Sequence, residues 1–189
     1  MTTRFLTADT WLGALLVAAT EKGICWISLG DDAETLEGEL RATFPDAERL
    51  SDAAASATDA IRADPDDPPL RAWLAAIIGH LDGDPRDLDL PLDVRGSLFQ
   101  RRVWWALRAI PYGHTRTYGE IARTLGVDVA PRAVARACAA NTLALAIPCH
   151  RAIGQDGDLT GYRWGLGRKQ LLLDRERQVS GAPTQLTLL

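Results

Sequence analysis

The sequence has few of the residues that build disulfide or metal frameworks, and it has no long apolar run. Cysteine occurs only as Cys25, Cys138 and Cys149, without a Cys-x-x-Cys spacing. An odd number of isolated cysteines argues against a disulfide scaffold or a cysteine-rich zinc site and favours a reducing compartment. No segment approaches the roughly 18 apolar residues of a membrane span. We therefore expect a cytoplasmic protein that has neither a membrane span nor a metal site.

Acidic residues are scarce in the second half of the chain. Residues 1–94 carry 7 Lys and Arg against 19 Asp and Glu, whereas residues 95–189 carry 14 against 6. A basic half beside an acidic half suggests that the second half meets a polyanion. The alternative is that acidic loops merely keep the first half soluble, and the two interpretations are compatible.

The beginning of the chain predicts a β-hairpin. Residues 10–19 form an apolar run, residues 24–29 form a second one, and Glu21-Lys22-Gly23 between them is a turn signal. Cys25 lies inside the second strand, where a small buried residue is expected.

Two helices and two connections follow the hairpin. Apolar residues at spacings of three and four predict a helix over residues 36–44 and another over residues 70–81. Residues 51–69 are rich in Ala, Asp and Pro, which indicates a surface connection. Residues 88–94 are interpreted as an extended linker, and the sign of the net charge changes just beyond it.

Three more helices are predicted between residues 97 and 140. Their start signals are Ser97, Thr117 with Glu120 as its capping-box partner, and Pro131 at a first helical position. The last two helices flank a tight turn, and the second carries Arg132 and Arg136 among alanines without any acid. This pattern is typical of a helix-turn-helix that approaches DNA closely. An ordinary alanine-rich packing helix with solvated arginines is the competing interpretation.

The pentapeptide Ile147-Pro148-Cys149-His150-Arg151 joins a thiol, a base and a cation. A thiol becomes nucleophilic when it ionises, and a nearby base or positive charge promotes that. The apolar run over residues 143–147 is interpreted as a short strand that delivers Cys149. A structural cysteine beside an exposed histidine is the alternative if the pentapeptide is taken alone.

Two features downstream bear on that choice. Residues 161–165 form a glycine-flanked aromatic loop, which can wall a pocket for a flat base. A last helix is predicted over residues 166–178, and Glu176 on its mostly apolar face needs a partner, for which His150 is the candidate. The uncharged tail from Val179 is expected to be loosely ordered.

Together these residues resemble one family, the O6-alkylguanine-DNA alkyltransferases, and within it the C-terminal domain of bacterial Ada proteins. The resemblance covers the chain from the first hairpin to about Gln178. It rests on motifs that follow one another in register: Gly96-Ser97-Leu98-Phe99-Gln100, Val103-Trp104, Thr117-Tyr118-Gly119-Glu120-Ile121-Ala122, Arg132-Ala133-Val134, Ala140-Asn141, Ile147-Pro148-Cys149-His150-Arg151, Gly161-Tyr162-Arg163-Trp164-Gly165, and Leu171-Leu172 ahead of Glu176.

The resemblance implies an α/β (α+β) fold in two domains. Residues 1–90 would form a small ribonuclease-H-like domain of sheet and helices. Residues 91–178 would form a mostly helical, winged helix-turn-helix domain for DNA binding and alkyl transfer, and residues 179–189 would be a flexible tail. The implied protein is a monomer without cofactor, and its partner is duplex DNA that contains O6-alkylguanine.

The resemblance also implies a single-turnover mechanism with base extrusion. Cys149 would accept the alkyl group of O6-methylguanine, and of O4-methylthymine, and so inactivate the protein. The remaining implied roles fall on catalytic partners (His150, Glu176, Asn141, Tyr162), DNA-binding residues (Arg132, Tyr118, Ala133, Arg136, Gln155) and pocket residues (Trp164, Arg163, Pro148). Among the DNA-binding residues, Arg132 would fill the vacated stack and Tyr118 would rotate a phosphate.

The chain departs from the family's pattern at two positions. Ala152 replaces the usual Val, and Trp164 stands where some members carry Gly. The tryptophan predicts a narrower pocket and faster transfer of methyl than of benzyl groups. Two other classes of function remain in competition: a lesion-binding module without repair activity, and a thiol hydrolase built on Cys149, His150 and Glu176. The presence of Cys149 argues against the first, and the helix-turn-helix with its basic half argues against the second.

Overall fold

The structure is a computed structural model of the chain, and it describes residues 2–50, 69–86 and 88–181. Its contacts divide the chain into two compact units. The first comprises Met1–Asp82 with Leu88–Arg95, and the second comprises Gly83–Asp87 with Gly96–Leu189. The boundary predicted after residue 90 thus falls inside the extended segment 88–95. Most of the predicted connection at 51–69 lies outside the described residues.

The first unit is a four-stranded sheet with two helices. Its elements in chain order are β1 (Arg4–Thr10), β2 (Gly13–Thr20), β3 (Gly23–Gly30), α1 (Ala33–Thr43), β4 (Glu48–Arg49) and α2 (Leu70–Leu81). The strand order is β3-β2-β1-β4. Strand β2 runs antiparallel to both β1 and β3, whereas β4 pairs in parallel with β1.

The sequence predicted a single strand over residues 10–19, whereas the structure has the last residue of β1, a turn and most of β2 there. The run over residues 10–19 is interrupted by a turn at Trp11-Leu12, so that β1 and β2 form a hairpin ahead of the predicted one. Thr10 holds this turn, because its hydroxyl donates to the carbonyl of Gly13 at 2.8 Å and accepts from the amide of Leu12 at 3.2 Å. Gly13 supplies the positive φ of 99°. The turn escaped prediction because its central residues are apolar.

The sheet buries β2 on both of its faces. Leu16 and Ala18 pack in one cluster with Leu36 and Leu40 of α1, and Val17, which points to the opposite face, is also fully buried. Burial on both faces explains why β2 reads as a continuous apolar run instead of an alternating one. Helix α2 contacts β1 and β2.

The extended segment 88–95 adds to the edge of this sheet. The amide of Ile24 donates to the carbonyl of Pro91 at 2.8 Å, and the amide of Asp93 donates to the carbonyl of Ile24 at 2.8 Å. Gly23, at φ 133°, lets the two backbones approach, since a Cβ there would collide with Pro91. The predicted linker is therefore extended, as expected, and belongs to the first unit by its contacts.

The second unit is mostly helical. Its elements are α3 (Leu98–Arg108), β5 (Arg116–Thr117), α4 (Tyr118–Leu125), α5 (Pro131–Ala139), a 3-10 turn (Cys149–Arg151), β6 (Ala152–Ile153) and α6 (Leu166–Ser180). Helices α3, α4 and α5 pack on one another, and β5 pairs with β6 in parallel. The predicted capping box of Thr117 and Glu120 is present at the start of α4.

The last helix is longer than predicted. Helix α6 continues to Ser180 and ends at Gly181, so Val179 and Ser180 are helical and not part of the predicted tail. From residue 182 the tail lies outside the described residues. In the part of the chain that the structure describes, no helix is both long enough and apolar enough to cross a membrane.

Candidate active site

The segment before Cys149 is a turn and not the predicted strand. Over residues 143–147 the chain folds back on itself, with the amide of Ile147 donating to the carbonyl of Leu143 at 2.9 Å. Leu145 adopts φ 67°, a left-handed conformation that costs a leucine about 1–3 kcal/mol. The run is apolar because it is buried, and a short buried run looks the same in a strand and in a turn.

Asn141 holds this turn from inside. Its side-chain oxygen accepts from the amide of Leu143 at 2.9 Å, and its Nδ2 donates to the carbonyl of Ile147 at 2.9 Å. The same Nδ2 lies 3.3 Å from Sγ of Cys149 and donates to it. Asn141 is fully buried, so these bonds replace its contacts with water. One amide group therefore fixes both the turn and the thiol that the turn presents.

His150 and Arg151, adjacent in the 3-10 turn, converge on Glu176 of α6. Nε2 of His150 lies 2.7 Å from Oε1 of Glu176. The guanidinium of Arg151 binds both carboxylate oxygens, and the amide of Gly113 donates to Oε2 at 3.0 Å. The predicted pairing of His150 with Glu176 is present in the structure. The cation of the pentapeptide binds Glu176 and the carbonyl of Ile110, not the thiol.

The charges in this cluster follow from its partners. Burial alone would raise the pKa of Glu176, but the hydrogen bonds of His150 and Arg151, the charge of Arg151 and the charge that His150 takes up in acid lower it to about 2. Of these two partners only Arg151 is permanently charged. Burial lowers the pKa of His150 and outweighs the attraction of Glu176. We conclude that His150 is neutral beside an ionised Glu176.

A neutral His150 has only one tautomer that fits this geometry. A carboxylate oxygen can only accept, so Nε2 must carry the ring proton and donate it to Glu176. Nδ1 is then a bare acceptor. It is buried and has no hydrogen-bond partner among the described residues. The site therefore offers a basic nitrogen directly after Cys149.

The thiol of Cys149 opens on a cavity of about 310 Å³. The cavity is lined by residues of α4, α5, the 3-10 turn and the aromatic loop: Tyr118, Ala135, Cys138, Ala139, Cys149, Thr160, Gly161, Tyr162 and Arg163. Burial raises the pKa of Cys149 to about 11, although the Asn141 hydrogen bond and the charges of Lys169 and Arg163 oppose it. The resting group at neutral pH is thus a thiol, which must lose its proton before or while it attacks.

Tyr162 lines this cavity and carries the second polar atom that lacks a partner. Its hydroxyl is buried and has no hydrogen-bond partner within the described ranges. Burial raises the pKa of Tyr162 well above its usual range, so the hydroxyl keeps its proton and can donate it. The Tyr162 ring lies edge-on to His150, with 6.4 Å between ring centroids.

The predicted pocket residues divide into two groups. Arg163 lines the cavity, whereas Pro148 and Trp164 do not. Trp164 is buried and packs edge-on against Tyr162, with ring centroids 5.2 Å apart. The predicted narrowing of the pocket by Trp164 would therefore act through Tyr162, which lines the cavity and against which Trp164 packs.

Lys169 is a site residue that sequence reasoning missed. The sequence assigned it no role, but it is fully buried. Its ammonium donates to the carbonyls of Ala152 at 2.7 Å and of Thr160 and Gly161 at 3.3 Å, and so fastens the loop that carries Tyr162. The signal was available, because Lys169 lies three, four and seven residues before Leu172, Leu173 and Glu176, on the buried face of α6.

The predicted DNA-binding residues lie on two helices and a turn. Arg132 and Arg136 are exposed on α5, and Ala133 between them is half-buried. Gln155 is exposed in the turn after β6. Tyr118, the first residue of α4, lines the cavity, and its hydroxyl donates to the carbonyl of Thr160 at 3.0 Å. The structure thus joins Tyr118 to the reactive site and leaves the two arginines on the surface of α5.

Comparisons with known proteins decide the family. The profile of the 6-O-methylguanine DNA methyltransferase ribonuclease-like domain matches residues 4–94, and that of the family's DNA binding domain matches residues 98–178. The crystal structure of Mycobacterium tuberculosis OGT in complex with DNA superposes with a TM-score of 0.71 at 33% identity, over 98% of both chains. The chain belongs to the 6-O-methylguanine DNA methyltransferase family. This membership confirms the predicted resemblance and the predicted fold class.

Similar sequences agree with this membership. Escherichia coli Ada, a bifunctional transcriptional activator and DNA repair enzyme, is 46% identical over 175 residues, which cover 93% of this chain and 46% of Ada. A methylated-DNA–protein-cysteine methyltransferase of Mycolicibacterium paratuberculosis is 56% identical over 106 residues, which cover 56% of this chain and 63% of that protein. This chain therefore spans about half the length of Ada.

Proposed function

We propose that this methyltransferase-family protein repairs DNA by moving an alkyl group from O6 of guanine to Cys149. The observation that carries the proposal is a cavity lined by Cys149 and Tyr162, together with the unpartnered Nδ1 of His150 on the residue that follows the thiol. A thiol that is served by a nearby base is the requirement of nucleophilic catalysis. The activity named for the mycobacterial relative, cysteine methylation from methylated DNA, needs the same set of groups.

The chemistry is a single displacement. Sγ of Cys149 forms a bond to the alkyl carbon while the bond from that carbon to O6 of guanine breaks. The thiol proton passes to Nδ1 of His150, with a water molecule as relay because adjacent side chains seldom face each other. Tyr162 donates its proton to the guanine, which leaves as a neutral base. The proton held by His150 then returns through water to the Tyr162 oxygen, so the net change moves one proton from thiol to guanine. The product is a thioether, so each protein molecule reacts once.

Duplex DNA is the proposed partner, and a monomer is proposed to bind it. The helix pair α4 and α5 supports this, because Arg132 and Arg136 project from a helix without acids whose small residues permit close approach. We assign Arg132 to the space left by the extruded base, and Tyr118 to the phosphate beside it. Ala133, Arg136 and Gln155 are assigned to further contacts with the DNA. Extrusion costs a few kcal/mol, and least for a base that pairs badly, which favours the damaged base.

The range of substrates is the finer part of the proposal. We propose O6-methylguanine as the main substrate and O4-methylthymine as a second one, with methyl groups moving faster than benzyl groups. Because Tyr162 forms the wall and Trp164 packs against it, the tryptophan acts through Tyr162. Benzyl transfer as fast as methyl transfer would contradict this preference.

The central test follows the methyl group itself. Duplex DNA with labelled O6-methylguanine is incubated with the protein, and label on protein is measured against protein concentration. We expect transfer to stop at one equivalent and to be absent in Cys149→Ala. Cys138→Ala is the matched control, because Cys138 lines the same cavity and should be dispensable. Binding without transfer would favour a lesion-binding module, and turnover beyond one equivalent would favour a hydrolase.

A further inference from the structure

Arg151 takes no part in the proposed displacement, yet it is tied to Glu176 more completely than any other described residue. Its Nε lies 3.1 and 3.0 Å from the two carboxylate oxygens, and its Nη2 lies 3.0 Å from Oε1. Its Nη1 donates to the carbonyl of Ile110 at 2.7 Å, and the guanidinium lies over the ring of Tyr112. The residue is 3% exposed, so these hydrogen bonds are shielded from water.

We propose that Arg151 is a positioning residue that keeps His150 in its neutral Nε2–H form and so leaves Nδ1 free to accept the thiol proton. The consequence for the transfer rate rests on the proposed function. The statement about His150 does not, because it concerns the protein without DNA. Arg151 touches neither the thiol nor the cavity, and it acts through Glu176.

The protonation of His150 is set by burial and by the charges around it: burial lowers its pKa most, Glu176 raises it, and the positive charge of Arg151 lowers it further. Glu176 brings one negative charge, and Arg151 offsets it permanently with a geometry that suits a carboxylate. His150 then makes a hydrogen bond to Glu176 without having to supply a charge. The titratable and charged groups around the imidazole are Glu176, Arg151, Lys169, Cys149 and Tyr162. With Cys149 and Tyr162 uncharged, a protonated His150 would be the third cation around one anion.

Removal of the guanidinium should reverse this state. In Arg151→Met the ionised Glu176 would keep His150 as its cationic partner, and the imidazole would be protonated on both nitrogens. Nδ1 would then be a donor and could not take the thiol proton. Transfer should slow at neutral pH and recover at higher pH, where the imidazolium loses its proton.

The first experiment is made on the unaltered protein in the absence of DNA. Nitrogen chemical shifts of His150, measured by NMR between pH 8 and pH 6, should be those of a neutral ring with the proton on Nε2. An imidazolium at pH 7 would overturn the proposal, whatever the protein does with alkylated DNA. This measurement does not depend on whether any variant folds.

The second experiment compares variants in their pH profiles of single-turnover transfer. Arg151→Met should move the midpoint upwards by about one to three pH units, the usual effect of exposing a group to an uncompensated opposite charge. Arg151→Lys keeps the charge and should restore most of the profile. The double variant Arg151→Met with Glu176→Gln also lacks the carboxylate charge that would stabilise a protonated His150. Its midpoint should therefore return towards that of the unaltered protein. A rate lost equally at every pH in Arg151→Met would mean that Arg151 is merely structural.

Discussion

The interiors of the two units differ in what they bury. Among the described residues, the first unit buries uncharged polar groups and one histidine (Thr3, Thr20, Ser28, His80), and its sheet is otherwise apolar. The second unit buries three charged side chains beside an amide and an imidazole (Arg151, Lys169, Glu176, Asn141, His150). All five of the latter group surround the turn of Cys149 or the loop of Tyr162.

The difference separates two ways of holding a fold together. An apolar interior is stabilised because its surface is removed from water, and it tolerates substitutions that preserve side-chain volume. A buried ion pair adds little stability compared with apolar residues of similar volume. Removing one partner, however, leaves the other charge buried without compensation. The second unit therefore holds a network that is sensitive to single substitutions, and the benefit it brings is the fixed protonation of His150 and the fixed place of the thiol.

The largest effect is expected from Glu176→Leu, which replaces the centre of the network by an apolar residue. Arg151 would remain buried without a counter-charge, and the amide of Gly113 would lose its acceptor. We expect the free energy of unfolding to fall by about 3–5 kcal/mol. Urea denaturation, followed separately for the two units, measures it.

Leu16→Ala in the first unit is the matched comparison, since Leu16 is fully buried in an apolar cluster. It should cost about 2–5 kcal/mol through the cavity that it leaves. The two interiors would not differ as described if Glu176→Leu were tolerated while Leu16→Ala was not.

An effect of similar or slightly smaller size is expected from acid. The pKa of Glu176 is held at about 2 in the folded chain, below the usual value of about 4.3, so its contribution is complete above the unfolded value and is lost as pH falls towards 2. The whole shift corresponds to roughly 3 kcal/mol, of which about half is lost by pH 3. The lowered pKa of His150 acts in the same direction, because the unfolded chain takes up a proton first, so stability begins to fall below its usual value of about 6.5.

The measurement is the urea midpoint of the second unit between pH 7 and pH 3. Glu176→Gln should flatten the acid part of the curve, since an amide does not titrate. A midpoint that stays constant over this range in the unaltered protein would contradict the assigned charges.

Sequence reasoning singled out the residues to which we assign chemistry, but not the contacts that hold those residues in place. Cys149, His150 and Glu176 stood out because a thiol beside a base, and an acid on an apolar helix face, are unusual at any position. Arg151 was predicted to serve the thiol and Lys169 was given no role, because an exposed and a buried cation look alike in a sequence until their acceptors are known. Those acceptors are a carboxylate 25 residues away and three backbone carbonyls, and only the fold brings them together.

The same limit applies to local structure. Capping signals predicted α4 because Thr117 and Glu120 bond within one turn of the chain, so their geometry is encoded in their spacing. The turn over residues 143–147 depends on the side chain of Asn141, and its left-handed Leu145 has no signature in the sequence. The turn at Trp11-Leu12 was missed for a related reason, because it interrupts an apolar run without a charged or proline residue.

The smallest predicted effect compares one helix cap in each unit. Asp32 accepts from the amide of Thr35 at 2.7 Å at the start of α1, and Thr117 accepts from the amide of Glu120 at 3.1 Å at the start of α4. Asp32→Ala and Thr117→Ala should each lower the free energy of unfolding by about 1 kcal/mol, because each leaves one helical amide without its acceptor.

The two variants should differ in function although they match in stability. Thr117 is followed directly by Tyr118, whose hydroxyl bonds to Thr160 at the cavity, whereas α1 carries none of the residues that line it. Single-turnover transfer under conditions where both variants are folded should therefore slow for Thr117→Ala and stay unchanged for Asp32→Ala. Equal rates would mean that the start of α4 is held by its packing and not by its cap, since Ile121 and Ala122 would then suffice to keep Tyr118 at the cavity.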